Sequence, residues 1–268
     1  MTMKRVTVVI PTYKPGEYLE DCVKSFARQT LDKNLFEVII VLNGCRKPYD
    51  DYIVHLIDQY SDTLDVRMIH TDTAGVSNAR NIGLEQSDAD YVTFMDDDDW
   101  ATDDYLALLL EKADNHSIVV TNMIDFSEVD GSQKKSWMAQ AYENNKKRKN
   151  VTIMSARSFF SSACGKLLPR EVIGNCRFNT NFKLGEDSLF MATISKNIQE
   201  IKLAEQNAVY MRRVRAKSAG RSKPKFMSRL ANVSRQVGAY VSTYLKSPFK
   251  YNFLFFLSRI VAVIIRFK

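Results

Sequence analysis

The chain has 268 residues, 45% of them hydrophobic and 26% charged, an ordinary globular composition of the size of one large domain or a domain with an appendage. Its four cysteines (Cys22, Cys45, Cys164, Cys176) are scattered without a CxxC pair, which excludes a disulfide scaffold and points to reduced thiols in a cytoplasmic protein. The formal charge of +7 is unevenly placed: from Gln206 to Lys268 there are 14 Lys and Arg and no Asp or Glu, so the preceding residues are acidic on balance.

The N-terminal MTMKRVTVVIPTYK is basic and then apolar, but its apolar run is short, a proline follows, and no small-residue cleavage site appears. It reads as a first strand, Val6–Ile10, and not as a signal peptide. Leu19, Cys22, Val23 and Phe26 then fall on one helical face. FEVIIVL (36–42) is a second strand, a continuous apolar run suited to burial on both faces of a parallel sheet. A helix with Ile53, Leu56, Ile57 and Tyr60 on its apolar side follows, then a strand at Val66–Ile69, a helix over Val76–Glu85 and a strand at Tyr91–Met95. Leu106, Leu109 and Leu110 mark one more helix, and Ile118–Thr121 one more strand. This alternation predicts a doubly wound, mostly parallel α/β sheet with right-handed crossovers.

Beyond it the pattern weakens. Residues 130–150 are polar and basic and read as a mobile loop, followed by a mixed α+β stretch to about Arg215. From Lys225 a long amphipathic helix is expected, with Phe226, Leu230, Val233, Val237, Tyr240 and Tyr244 on one face, broken at Pro248. The closing FKYNFLFFLSRIVAVIIRFK has Arg259 in its middle, which makes it a poor membrane span. It either lies on an anionic membrane surface, the preferred reading, or packs on the domain or a sister subunit in a homodimer. No nucleic-acid module is recognisable in the basic run.

In open parallel sheets ligands sit at the carboxyl ends of strands, where strand order reverses. The polar residues fall there: Pro11-Thr12-Tyr13 after the first strand, Asn43-Gly44-Cys45 after the second, and Asp96-Asp97-Asp98-Asp99 after the fourth. If the aspartates continue an extended segment, Asp96 and Asp98 share one side, and Asp97 and Asp99 face backbone donors on the other. Two carboxylates make an incomplete oxygen shell, which Mg²⁺ or Mn²⁺ completes with water and substrate phosphates. The loop lacks the glycine and distal glutamate of an EF-hand, and Trp100 follows the aspartates where an acid-loop phosphatase has Thr or Val. In GVSNARNIG (75–83), Ser77 is a possible helix cap, and Arg80 offers a fork of donors suited to phosphate or a base carbonyl.

Together VVIPTYK, FEVIIVLNGC, GVSNARNIGL and FMDDDDW, followed by SSACGKLLPREVI, FKLGEDSLF and YMRRVRAKSAGRS, resemble family 2 glycosyltransferases with a GT-A fold, in order and spacing, over about residues 4–220. The resemblance implies a GT-A catalytic domain (1–220) whose donor-binding half is about 1–121 and whose acceptor half is about 122–220. A basic helical tail (221–268) would follow. It implies a metal-dependent, inverting enzyme of hexosyltransferase type, acting on a nucleoside-diphosphate sugar, UDP-linked by preference, and on a saccharide or lipid-linked acceptor in surface-polysaccharide assembly. The setting would be the inner face of the cell membrane. Pro11, Thr12 and Tyr13 match the segment around the base. Asp96-Asp97-Asp98 matches the DxD motif, with Asp98 the metal ligand and Asp96 nearer the sugar and ribose. Asp187 matches the catalytic base, with Glu186 orienting it or the acceptor, and Arg215, in the segment Arg212–Ser218 that closes over the donor, could touch the diphosphate. One departure stands out: family members commonly have Asp-Asp-Gly-Ser after the second strand, where this chain has Leu42-Asn43-Gly44-Cys45. A sugar-phosphate nucleotidylyltransferase would carry a glycine-rich basic motif after the first strand, which PTYKPGEY lacks. A catalytically inactive membrane-attached module would not need Asp98 and Asp187.

Overall fold

A computed structural model describes residues 5–182, 184–215 and 226–265, with the side chains of 226–229 left out. The first half alternates as expected: β1 (Val6–Thr12), α1 (Tyr18–Ala27), β2 (Phe36–Asn43), α2 (Tyr49–Tyr60), β3 (Val66–Thr71), α3 (Val76–Glu85) and β4 (Tyr91–Phe94). Every residue of β1 and all but one of β2 are buried, which is why both read as unbroken apolar runs. The chain continues through β5 (Trp100–Ala101), α4 (Tyr105–Glu111), β6 (Ser117–Val120), β7 (Asn122–Ser127), β8 (Gln133–Lys135) and α5 (Trp137–Lys146). It closes with β9 (Lys166–Pro169), α6 (Arg170–Ile173), α7 (Glu186–Ile194), β10 (Glu200–Leu203), β11 (Val209–Val214), α8 (Phe226–Leu245) and α9 (Phe253–Ile265).

The main sheet has seven strands in the order β10-β6-β9-β4-β1-β2-β3. β1 pairs in parallel with β2 and β4, and β2 with β3, while β9 runs antiparallel to both β4 and β6. Strand order reverses at β1/β4, so the crevice opens where Thr12 and Asp96–Asp99 leave the sheet. A second sheet, β5-β11-β7-β8, was not foreseen from the sequence. The four aspartates are the passage from one sheet to the other, directly after β4 and directly before β5.

Close packing sets how deep α3 lies. A Cβ at Gly83 would stand 2.3 Å from Cγ1 of Val9, so only glycine lets α3 rest on β1 at this distance. That contact carries Arg80, one turn earlier, into the interior.

Residues 130–150, expected to be a mobile loop, are ordered structure. β8 pairs with β7, and Ser136 caps α5, its Oγ accepting from the Ala139 N–H at 3.0 Å and donating to the Met123 carbonyl at 2.6 Å. Met138, Ala141, Tyr142 and Asn145 are buried at helical spacing, a stripe hidden from composition by the polar residues between them.

The tail packs on the domain through one face. Phe255 meets Phe160 edge-on at 4.9 Å, and Phe256 packs against Tyr240 and Tyr251. Arg259, the residue that spoiled the span, turns inward and donates to Ser161 Oγ at 3.1 Å. Tyr240 on α8 donates to Ser188 Oγ on α7 at 2.7 Å. Among the described residues no helix is long and apolar enough to cross a membrane. Phe226, expected on the inner face of α8, has its side chain outside the described residues, as does Lys225 altogether.

Truncating the fully buried Phe255 to Ala should cost about 3–5 kcal/mol in urea unfolding. Leu257→Ala, on the exposed side of the same helix, should stay within about 0.5 kcal/mol of the parent. Equal effects would contradict the docking of α9.

Candidate active site

The four aspartates do not continue β4 as an extended segment. The Asp99 N–H bonds back to the Asp96 carbonyl at 3.1 Å, and this turn cancels the expected two-sided alternation. Each carboxylate instead has its own partner. Asp96 accepts from Arg80 Nη2 at 2.9 Å, Asp97 from the Thr12 hydroxyl at 2.5 Å, and Asp98 lies 2.7 Å from Arg215 Nη2. Asp99, expected to face backbone donors of the turn, accepts instead from the Arg213 N–H of β11 at 2.7 Å and from the Tyr210 hydroxyl at 2.6 Å. Asp97 meets a side-chain hydroxyl where backbone donors were expected.

Crowding shows in the acidities. Burial pushes the Asp97 carboxyl up to about 7; Thr12 pulls against that, and the neighbouring Asp98 and Asp96 charges add to it. Burial also raises Asp98, with Arg215 opposing, and holds Asp99 well above the carboxylate range. β11 supplies the opposing positive charge. Arg213 donates to the Asp98 carbonyl at 2.9 Å and to Asp21 at 2.6 Å, with its guanidinium 5.0 Å from the Trp100 ring centre. Arg212, by contrast, forms a fork with Asp125 away from the turn.

Arg80 departs from its expected role as an open phosphate ligand. It is buried, and its fork is occupied by carboxylates: Nη1 donates to Asp187 and Nη2 to Asp96, with Glu186 at 3.8 Å from Nη1. The guanidinium also lies over the Phe178 ring at 5.4 Å. Burial alone would weaken its hold on the proton, but the Asp187 and Asp96 charges outweigh this and raise it. One cation therefore joins the acid turn to the start of α7.

Glu186 and Asp187 are the first two residues of α7, behind Gly185. Gly185 has a φ of +86°, a left-handed conformation that favours glycine, and its Cα faces the amide end of Gln236 on α8. The second Asp187 oxygen accepts from the Ala163 N–H at 3.2 Å. Glu186 is raised by burial and then by the charge of Asp187.

On the other side of the crevice, a cavity of about 650 Å³ is lined by Tyr13, Asn43, Gly75, Ser77, Asn78 and Phe182. Asn43 does not face it freely. Its Nδ2 donates to the Thr12 carbonyl at 2.7 Å and its Oδ1 accepts from the Gly75 N–H at 2.8 Å. A carboxylate here would lose the first bond, which gives a structural reason for the departure from Asp. Tyr13 is half exposed over Gly44, whereas Pro11 lies within β1 and is buried. Ser77 lies inside α3 behind Gly75, its hydroxyl buried without a hydrogen-bond partner among the described residues, so the expected cap is not made. Of the segment Arg212–Ser218, residues 216–218 lie outside the described residues.

Sequence reasoning missed Tyr210, whose hydroxyl also accepts from the Asp96 N–H at 3.2 Å, and Cys164, whose thiol points at Asp96 from 3.6 Å. It also missed Lys166, fully buried with its ammonium on the Cys164 carbonyl at 2.8 Å and lowered by burial to about 8. The SSACGK segment held the only signal, a lysine in an otherwise small and apolar run.

The model of the family described as Glycosyl transferase family 2 matches residues 7–175. The chain belongs to that family. The family 2 match spans the acid turn, Arg80 and the SSACGK segment, and ends before Glu186 and Asp187. Glycosyltransferase GlyA of Streptococcus pneumoniae is 30% identical over 77% of this chain and 29% of its own length. The poly(ribitol-phosphate) beta-N-acetylglucosaminyltransferase TarS of Staphylococcus aureus is 24% identical over 78% of this chain and 35% of its own. The chain thus spans about a third of the length of these curated relatives. A crystal structure of TarS with UDP-GlcNAc superimposes with a TM-score of 0.70 at 21% identity, covering 88% of this chain and 66% of that one. The mannosyltransferase PcManGT of Pyrobaculum calidifontis, in complex with GDP-Man and Mn²⁺, gives 0.57 at 15% identity, covering 90% and 64%. The fold of this family 2 chain is GT-A.

Replacing Arg80 by Met should cost about 3–5 kcal/mol in chemical denaturation, because Asp96 and Asp187 would face each other without their shared cation. Arg80→Lys should recover only part of this, since an ammonium cannot fork across both carboxylates. Full recovery by Lys would refute the bridging role.

Proposed function

We propose that the chain transfers a sugar from a nucleoside diphosphate, UDP by preference, to a hydroxyl of a saccharide or lipid-linked acceptor, with inversion at the anomeric carbon. The observation that carries this reading is the Arg80 bridge, which holds Asp96 of the acid turn beside Asp187 at the start of α7. The TarS complexes with UDP and UDP-GlcNAc support the donor class. The poly(ribitol-phosphate) in the name of TarS supports a surface polymer as the setting.

The tyrosine-lined cavity suits the base, with Tyr13 offering a ring face and the Asn43–Gly75 contact holding its floor. Asp96 is the most exposed of the turn's first three carboxylates and suits sugar or ribose hydroxyls, while Arg215 stands ready for the diphosphate. Asp187 takes the proton of the acceptor hydroxyl. Arg80 and the Ala163 N–H fix its two oxygens, so the carboxylate cannot rotate away from the crevice. A carboxylate held this way is a weak base before reaction, and it takes the proton as the acceptor oxygen bonds to the anomeric carbon and its hydrogen becomes acidic. Direct attack of the acceptor oxygen on the anomeric carbon, with Asp187 as its base and the nucleoside diphosphate leaving from the opposite side, inverts that carbon. Glu186, beside it, is placed to hydrogen-bond an acceptor hydroxyl and orient it.

The residues fit a divalent cation, Mn²⁺ or Mg²⁺. The acid turn crowds Asp96, Asp97 and Asp98 together with only Arg80 and Arg215 as cationic side-chain partners, and all side-chain ligand atoms in it are oxygens, as hard cations require. No group of three or more His, Cys, Asp or Glu forms a metal cage among the described residues, which suits a cation sharing its shell with water and the donor's phosphates. Asp98 would hold it, and when bound it supplies neutralisation of the leaving diphosphate.

Release of nucleoside diphosphate from a panel of nucleotide sugars with Mn²⁺, with and without acceptors, tests the reading. Asp98→Ala should weaken donor binding. Asp187→Asn should spare donor binding while lowering turnover by about a hundredfold or more. Parent-like turnover in both variants would refute the assignments.

A further inference from the structure

α9 is apolar around its whole circumference except for Ser258 and Arg259, and Arg259 points into the protein. Its inner face, with Phe255, Phe256 and Val263, is consumed in packing. The opposite face presents Phe253, Leu254, Leu257, Val261, Ile264 and Ile265 to solvent, each between 43% and 62% exposed. These positions fall within about a third of a turn of one another, a single uninterrupted stripe without a charge. The loop before the helix extends it: Phe249 is fully exposed, and Leu245, at the end of α8, is 67% exposed. Soluble monomers rarely leave such a stripe uncovered.

The charge beside the stripe names what covers it. Lys246 and Lys250 are exposed next to Phe249, Arg266 and Lys268 follow the helix in the sequence, and no acidic residue occurs after Glu205. A second copy of this face would bring like charges together, whereas an anionic surface would receive them. With 13 residues, α9 is about 20 Å long, too short to cross a bilayer core of about 30 Å. We infer that the outward face of α9, with Phe249 and the flanking lysines, docks the protein on an anionic lipid bilayer, the helix lying flat in the interface. The site lies on the tail alone and does not rest on sugar transfer. α8 holds this docking face in fixed relation to the crevice, because Gln236 donates to the Leu184 carbonyl at 2.9 Å and Tyr240 to Ser188, on either side of Glu186 and Asp187.

The test is co-sedimentation of the full chain with vesicles of phosphatidylcholine alone and of phosphatidylcholine with phosphatidylglycerol. The chain should pellet with the anionic vesicles at low salt, less with neutral ones, and less again as salt rises. The triple variant Leu254→Ser, Leu257→Ser, Val261→Ser should bind at least about tenfold more weakly with an unchanged urea midpoint. If that variant misfolds, Phe249→Ser with Lys246→Ala and Lys250→Ala, outside the packed face, should give the same loss. Val54→Ser, an exposed apolar position on α2, should change nothing. Failure of the parent to bind anionic vesicles, or parent-like binding by the variants, would overturn the inference. So would a parent that is dimeric in solution, ignores vesicles and becomes monomeric with the triple substitution.

Discussion

A buried guanidinium holds this site together. Arg80 has almost no contact with water, yet it faces carboxylates from two segments about ninety residues apart in sequence. An arginine in such a place is tolerable only if its charge is matched, and a pair of carboxylates crowded into one crevice is tolerable only with a cation between them. Each half of the arrangement makes the other possible. The consequence for chemistry is geometric: the wall that would meet the donor and the wall that would receive the acceptor's proton are joined by one rigid, planar group. Everything that sets the position of Arg80, down to the missing side chain at Gly83, therefore bears on the reaction.

The acid turn has a second constraint. It is where the chain leaves the seven-stranded sheet and enters the four-stranded one, so its shape is dictated from both sides. Tyr210 and Arg213 come from β11, in the second sheet, and their contacts with Asp96, Asp98 and Asp99 tie the turn to that sheet. Arg215, just beyond the same strand, continues the series onto Asp98.

Much of this was legible beforehand, and the reason is periodicity. Strands buried on both faces leave unbroken runs such as VTVVI and FEVIIVL, and polar clusters directly after them mark the crevice. The order of motifs then pointed to the GT-A fold, which family membership and structural likeness bear out. What escaped had weaker signatures. β5, β8 and β11 are short or carry charges, and β5 and β11 find their partners far away in sequence. α5 hid a buried stripe within a polar composition. The turn at Asp97-Asp98 could not be told from an extended segment, because aspartate is at home in either. Arg80 illustrates the deepest limit: residue type announced an arginine fork, but only the fold decides whether a fork faces ligand or protein.

β9 has a consequence for how the chain assembles. It is the one strand of the main sheet that runs against its neighbours, and it separates β4 from β6. β4 and β6 are complete long before residues 166–169 exist on a growing chain, yet neither can gain its inner partner until then. Until then the pairing available to β1–β4 is a four-stranded parallel layer with an open edge at β4, and β6 has no partner on that side. Long-range closure of this kind is slow, and open edges in the meantime are where chains associate wrongly. Lys166 enters with β9, so the strand that joins the two halves of the sheet also delivers a buried ammonium to the interior, and the halves cannot be joined without burying it.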